Sequence, residues 1–223
     1  MIHNIRKIIQ KTGFDFHKYR PQTDYWEYVK TLEIKTVLDI GANVGQFAKE
    51  ARGKLPEARI YSFEPLKESF NKLQSYFGVD KKFTGFNFAL GEKTEQITMH
   101  KSQYTPSSSL LLMSETHKTL FPHTKNHTEE DVAVKKLDEI APQLNLEKEL
   151  LIKIDVQGFE DKVINGGVET FKKAKVVLVE TSFTILYEGQ PTFDDIYEKL
   201  KSLGFIYKGS LQDRKSTRLN SSH

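Results

Sequence analysis

The chain has 223 residues, of which 38% are apolar and 11% aromatic, so it can bury one sizeable core and does not require a second domain. The formal net charge is +3, but three cations and one anion fall after residue 212, so the remaining chain is nearly neutral and a basic nucleic-acid groove is not expected. The absence of cysteine excludes disulfides, thiolate zinc sites and a cysteine nucleophile.

The N-terminal segment predicts a short amphipathic helix, because isoleucines recur there at helical spacing with basic residues between them. A second helix is predicted over residues 24–32. No apolar stretch approaches the roughly 18 residues of a membrane-spanning helix, and no signal peptide is recognisable. We therefore expect a cytoplasmic protein without an integral membrane segment.

The body of the chain alternates between strand and helix patterns, which predicts an α/β fold with a mostly parallel sheet and helices on both faces. Several of the predicted strands are near-continuous apolar runs, as expected for strands covered on both faces. The predicted strands are 36–40, 59–63, 82–90, 150–156 and 176–181, and the predicted helices are 45–54, 66–77, 160–172 and 193–203.

The first strand ends in a loop with the order Asp39-x-Gly41-x-Asn43-x-Gly45, and the second strand ends in Glu64. Glycines in such a βαβ unit let the backbone approach a nucleoside, and an acid about 20 residues further on binds the ribose. A carboxylate in the loop would repel a pyrophosphate and attract a cation. S-adenosylmethionine, with its amino group and sulfonium, fits better than a dinucleotide, although an NAD(P)-dependent oxidoreductase stays open.

Polar residues also end the later strands, at Asn87, Asp155 and Glu180. The carboxyl ends of parallel strands meet at the ligand-binding edge of such a sheet. If the methyl group of the cofactor is transferred to a hydroxyl, that hydroxyl needs a positioned base. Asp155 and then Glu180 are the candidates for that catalytic role. Each acid could instead cap the helix that follows it.

An excursion separates the third and fourth strands. Residues 96–100 and 132–137 predict two extra strands, and residues 104–110 predict a polar loop. His123 and His127 have a spacing that could share a metal on a helix, but solvated histidines on a loop explain them better, so no metal site is predicted.

Six motifs follow one another along the chain: VLDIGANVGQF (37–47), SFEP (62–65), NFALG (87–91), KIDVQGFE (153–160), VVLVET (176–181) and YEGQPTF (187–193). In this order they resemble the FkbM-type S-adenosylmethionine-dependent methyltransferases. The resemblance implies a Rossmann-like class I methyltransferase fold with S-adenosyl-L-methionine as cofactor and O-methylation of a sugar, a glycan or another small molecule. It implies that Asn87 and Ala89 lie at the adenine and Ser108 at the cleft, and many relatives have Glu where Gln157 stands.

The C-terminal residues 213–223 show neither strand alternation nor a helical stripe, and we expect a disordered, non-native tail after a single methyltransferase domain over residues 1–212. A strand is predicted at 205–208. The family fold continues there into a final antiparallel strand, and the tail leaves open whether that strand is present. A degenerate, non-catalytic nucleoside-binding domain therefore remains an alternative, and the sequence does not indicate an oligomeric state.

Overall fold

The computed structural model describes residues 25–102, 127–181, 187 and 189–210. The strands are β1 (Thr36–Ile40), β2 (Arg59–Phe63), β3 (Phe83–Phe86), β4 (Ala89–Leu90), β5 (Glu95–Ser102), β6 (His127–Lys135), β7 (Leu150–Ile154) and β8 (Ala174–Val179). The helices are α1 (Tyr25–Thr31), α2 (Gln46–Lys54), α3 (Lys67–Phe77), α4 (Leu137–Ile140), α5 (Glu160–Asn165), α6 (Val168–Phe171) and α7 (Phe193–Ser202), with a 3-10 turn at Ala141–Gln143.

The main sheet has the strand order β3-β2-β1-β7-β8, and every neighbouring pair in it is parallel. The predicted parallel α/β sheet is therefore confirmed. Strand order reverses at β1, because β2 lies on one side of it and β7 on the other. Ligands of such sheets bind beyond the carboxyl ends of the strands at this reversal point.

Apolar side chains cover both faces of the main sheet. Leu38 and Ile152 belong to a core that includes buried residues of α5, α6 and α7, whereas Val37 and Leu151 belong to a second core with α1, α2 and α3. Successive residues of a strand point to opposite faces, so one strand contributes side chains to both cores. This arrangement explains why the central strands read as apolar runs.

The excursion forms a second sheet of order β4-β6-β5, in which β5 and β6 are antiparallel and β4 and β6 are parallel. The two extra strands are confirmed, with β5 and β6 longer than predicted and β6 ending at Lys135. The single predicted strand 82–90 is wrong, because β3 ends at Phe86 and Ala89 begins a strand of the other sheet. The amide of Asn87 donates to the carbonyls of Glu64 and Pro65, which takes the chain off the edge of the main sheet.

Two further predictions are corrected. The helix predicted over 160–172 is divided into α5 and α6 at Gly166, where a Cβ would lie 1.8 Å from the carbonyl oxygen of Gly91. The strand predicted at 205–208 is absent. Gly204, with φ at +95°, ends α7 in a turn that bonds the Phe205 N–H to the Leu200 carbonyl, and the residues after it join neither sheet within the described chain.

Several predicted features lie outside the described residues: the N-terminal helix, Ser108, the polar loop at 104–110, His123 and the tail 213–223. Within the described ranges, no helix has both the length and the apolar character needed to cross a bilayer. No group of three potential metal ligands occurs in those ranges either.

The loop after β1 depends on the lack of a side chain at Gly41. Its φ is +77°, and a Cβ there would lie 1.8 Å from the carbonyl oxygen of Asp155. We expect Gly41→Ala to lower the free energy of unfolding by about 2–4 kcal/mol through backbone strain and overpacking. Gly53→Ala is the matched control, because its Cβ would meet nothing within 4 Å and alanine is favoured in a helix. Equal free energies of unfolding for the two variants, measured with denaturant, would contradict the requirement for glycine at position 41.

Candidate active site

The loop between β1 and α2 is folded against the end of β2. The N–H groups of Gly41 and Ala42 both donate to the carbonyl of Phe63, at 3.0 Å. Gly41, Asn43 and Gly45 have φ values of +77°, +49° and +87°, so the chain makes a tight turn before α2 begins. Backbone and small side chains therefore line the carboxyl end of β1, as a nucleoside site requires.

Glu64 holds this loop from the end of β2. One carboxylate oxygen accepts the N–H of Asn43 at 2.8 Å, and the other accepts the N–H of Leu66 at 2.9 Å. The side chain is buried, and burial raises the pKa of Glu64 to about 7, although both hydrogen bonds oppose that change. A ligand hydroxyl that donates to this carboxylate would favour its charged form.

Asn87 and Ala89 lie beside Glu64 along the chain path. The Asn87 amide donates to the Glu64 carbonyl at 3.0 Å and to the Pro65 carbonyl at 2.7 Å, so its nitrogen is engaged in holding the backbone. Ala89 is buried and opposes Val134 in the second sheet. Their contact with an adenine stays a prediction.

A largely enclosed lysine, Lys153, lies at the centre of the site, with 14% of its side chain exposed. The register places Asp39 directly opposite Lys153 on β7 and opposite Ser62 on β2, so the three side chains share one face of the sheet. The Lys153 ammonium lies 3.3 Å from Asp39 Oδ1 and donates to the carbonyl of Gly41 at 3.0 Å. It also lies 3.6 Å from Asp155 Oδ2.

The two carboxylates differ in access to ligands. The Asp39 side chain is fully buried, whereas the Asp155 side chain keeps 28% of its surface exposed. Burial lowers the pKa of Lys153, but the charges of Asp39 and Asp155 outweigh that effect and hold it above its usual value. Two carboxylates and one ammonium leave one net negative charge, which Asp155 presents to the cleft. Asp39, which was predicted to attract the cationic cofactor, is paired with Lys153, and its contact with a cofactor stays a prediction.

The loop after β7 is shaped by a second buried carboxylate, Glu160. It accepts the N–H of Val156 at 3.2 Å and the N–H of Gly158 at 3.1 Å. Between them, Gln157 has φ at +55° and donates from its amide to Asp155 Oδ1 at 2.7 Å. Glu160 therefore fixes loop geometry and does not face a ligand as a third free acid.

Glu180 follows β8, and its N–H donates to the Ile154 carbonyl at 2.9 Å, so it lies one strand beyond Asp155. Its side chain is exposed to solvent. The structure brings two groups of predicted residues together: Asp39, Gly41 and Asp155 around Lys153, and Asn43, Glu64 and Asn87 around the end of β2.

Sequence reasoning missed Lys153. Its signal was present, because a lysine inside the near-continuous apolar strand 150–156 has to find a partner when both faces of the sheet are covered. The alternation of side chains along β1 and β7 would then have indicated Asp39 as that partner. The contact from Tyr187 to Gln157 could not be read from the sequence, since 30 residues separate them.

Comparisons with known proteins identify similar sequences. The family model described as "Methyltransferase FkbM domain" matches residues 39–207. The 2-O-methyltransferase NoeI of Sinorhizobium fredii (strain NBRC 101917 / NGR234) is 29% identical over 180 residues, covering 76% of this chain and 72% of that protein. Methyltransferase sdnD of Sordaria araneosa is 25% identical, and the alignment covers 65% of each protein.

A solved structure shows the same fold. The methyltransferase FkbM from Methylobacillus flagellatus KT superposes with a TM-score of 0.51 at 14% sequence identity. The superposition covers 77% of this chain and 38% of that chain, so the described protein spans well under half of that solved structure.

Removal of the Lys153 ammonium tests the central ion pair. We expect Lys153→Met to lower the free energy of unfolding at neutral pH by about 3–5 kcal/mol, because Asp39 is left buried without an opposite charge. Adding Asp39→Asn should recover much of that loss. Lys72→Met, which removes an exposed pair with Glu68, should change stability by about 1 kcal/mol or less. Denaturant unfolding in which Lys153→Met behaves like Lys72→Met would contradict the assignment.

The raised pKa of Glu64 predicts a pH dependence of stability. A carboxyl whose folded pKa is about 7 instead of 4.5 contributes stability that is present below pH 4.5 and is lost as the pH rises through 7. Between these limits the wild type should lose about 3 kcal/mol relative to Glu64→Gln. Only the change with pH is compared, so a constant offset from the substitution does not matter. Parallel stability profiles of the two proteins would show that Glu64 titrates normally.

Proposed function

This chain belongs to the FkbM methyltransferase family, which uses S-adenosylmethionine, and we propose that it methylates a hydroxyl of a sugar, a glycan or another small molecule. The observation that carries the proposal is Asp155, a partly exposed carboxylate held directly beside the loop predicted to bind the cofactor. A family member with a positioned carboxylate at this place has the group that an alcohol acceptor requires. The cytoplasmic location expected from the sequence is part of the proposal.

The residues around β1 suit the cofactor. Gly41 lies so close to the Asp155 carbonyl that the loop after β1 has no room for a side chain at this position. Asn43 Oδ1 is buried and accepts no hydrogen bond from any described residue, so it is available to a donor group of a ligand. The Glu64 carboxylate would accept ribose hydroxyls, while Asp39 and Lys153 keep the loop in place.

S-adenosylmethionine, when bound, supplies a methyl group on a sulfonium, which is a good leaving group. The protein must then orient an acceptor oxygen, exclude water and take up the proton of the hydroxyl. Asp155 can accept that proton, because each carboxylate oxygen has more than one acceptor position and its side chain reaches the surface. Glu180 is the second candidate, one strand further away and more exposed.

The acceptor class is the finer part of the proposal. The name of NoeI assigns that relative a 2-O-methyltransferase activity. The near-neutral charge of the body does not favour binding to nucleic acid. We therefore expect transfer to carbohydrate hydroxyls in preference to RNA.

The first experiment supplies radiolabelled S-adenosylmethionine and a panel of methyl glycosides, with an RNA oligonucleotide and a short peptide for comparison. We expect alkali-stable label on at least one glycoside, as an ether linkage requires. Label on the RNA or the peptide alone would contradict the proposed acceptor class. Tight cofactor binding without any transfer would instead support a non-catalytic domain.

Substitution of the base tests the residue assignment. We expect Asp155→Asn to lower single-turnover transfer by about 100- to 10,000-fold, because the amide cannot accept the proton, while calorimetric affinity for S-adenosylhomocysteine is largely kept. Glu198→Gln, an exposed acid of α7, is the control and should transfer normally. If Glu180→Gln is slow and Asp155→Asn is not, Glu180 is the base. Loss of cofactor affinity in Asp155→Asn would make that residue a cofactor anchor.

A further inference from the structure

Gln157 has a backbone conformation that a residue with a side chain rarely adopts. Its φ is +55°, and Gly158 beside it has φ at +103°. Strain of this kind persists only where the surroundings over-determine it, and it concentrates at functional sites. The neighbours of Gln157 must therefore hold this conformation in place.

Glu160 supplies the constraint on the backbone. One of its oxygens accepts the N–H of Val156 and the N–H of Gly158, and its other oxygen also accepts the N–H of Gly158 at 3.1 Å. Both neighbours of Gln157 are thus bonded to one buried carboxylate. The left-handed conformation of Gln157 is fixed from either side.

The fixed backbone determines the contacts of the Gln157 side chain. Its Nε2 lies 2.7 Å from Asp155 Oδ1, and a carboxylate can only accept, so the nitrogen faces Asp155 and the carbonyl oxygen faces away. The Tyr187 hydroxyl lies 3.3 Å from that oxygen and must therefore donate to it. Tyr187 is 1% exposed, and burial raises its pKa, so the hydroxyl keeps its proton.

We propose that Gln157 and Tyr187 are positioning residues, which fix the carboxylate of Asp155 for its role toward the acceptor. Asp155 is held at both oxygens, by the Gln157 amide at Oδ1 and by the Lys153 ammonium near Oδ2. Each oxygen keeps an acceptor position for a ligand. Tyr187 orients the amide, and the amide orients the acid. This inference rests on the proposed function of Asp155 as the base.

A spectroscopic experiment tests the contact itself, without any acceptor. In ¹⁵N-labelled protein, the side-chain amide signals of Gln157 are assigned by their loss in Gln157→Met. We expect one amide proton to be shifted downfield by the carboxylate, to move upfield in Asp155→Ala and to move in Tyr187→Phe. The amide signals of Gln143, an exposed glutamine outside the site, should not move in either variant. If the chemical shifts of the Gln157 amide stay unchanged in both Asp155→Ala and Tyr187→Phe, the proposal is overturned.

A double-mutant cycle tests the consequence for the reaction. In single-turnover transfer to the glycoside that the wild type labels, we expect Gln157→Met to be slower by about tenfold or more, since a hydrogen bond to a charged group is lost. Affinity for S-adenosylhomocysteine, measured by calorimetry, should stay within about twofold, which also shows that the variant is folded. In an Asp155→Asn background, Gln157→Met should have an effect of about twofold or less, because it acts through Asp155. Gln143→Met is the matched control and should transfer at the wild-type rate.

The outcomes separate this inference from the proposed function. If Asp155→Asn transfers at the wild-type rate, the assignment of the base has failed, and Gln157 has no base to position. If Asp155→Asn is slow but Gln157→Met is fast, the positioning role is overturned while the base assignment stands. The positioning role is also overturned if the rate reductions of Gln157→Met and Asp155→Asn multiply in the double variant, because Gln157 would then act independently of Asp155.

Discussion

The ion pairs of the largely enclosed Lys153 ammonium are the interactions on which the rest of the site depends. The ammonium joins Asp39 on β1, the carbonyl of Gly41 in the following loop and Asp155 after β7. A fully buried carboxylate such as Asp39 is costly without an opposite charge. By supplying that charge, Lys153 ties the loop predicted to bind the cofactor to the acid proposed to act on the acceptor. A change in either segment is therefore expected to affect the other.

The two loops that border this ion cluster are built in the same way. Each contains a non-glycine residue with a left-handed backbone, Asn43 in the first and Gln157 in the second. Each is held by a buried carboxylate. Glu64 accepts the backbone N–H groups of Asn43 and Leu66, and Glu160 accepts those of Val156 and Gly158. Burial raises the pKa of both acids. The structure thus uses buried acids to hold strained loops, and it leaves Asp155 as the partly exposed acid between them.

The parallel sheet, its strand-end acids and the family could be predicted from the sequence, because apolar strands, glycine turns and terminal carboxylates are local patterns. It failed where a distant contact decides the outcome. The strand predicted over 82–90 ends early because Asn87 bonds to backbone carbonyls about 22 residues away, and the helix over 160–172 is divided where Gly166 meets Gly91. Lys153 was overlooked although a lysine in a covered strand is itself a signal.

The most direct test of this account is the ¹⁵N signal of the Lys153 side chain in selectively labelled protein. We predict a protonated ammonium whose pKa lies above that of an ordinary lysine, because the charges of Asp39 and Asp155 stabilise its charged form. We also predict that Asp155→Ala and Asp39→Asn each shift this signal. A neutral amine near pH 8, or an ammonium signal that neither substitution changes, would contradict the claim that Lys153 joins the two halves of the site.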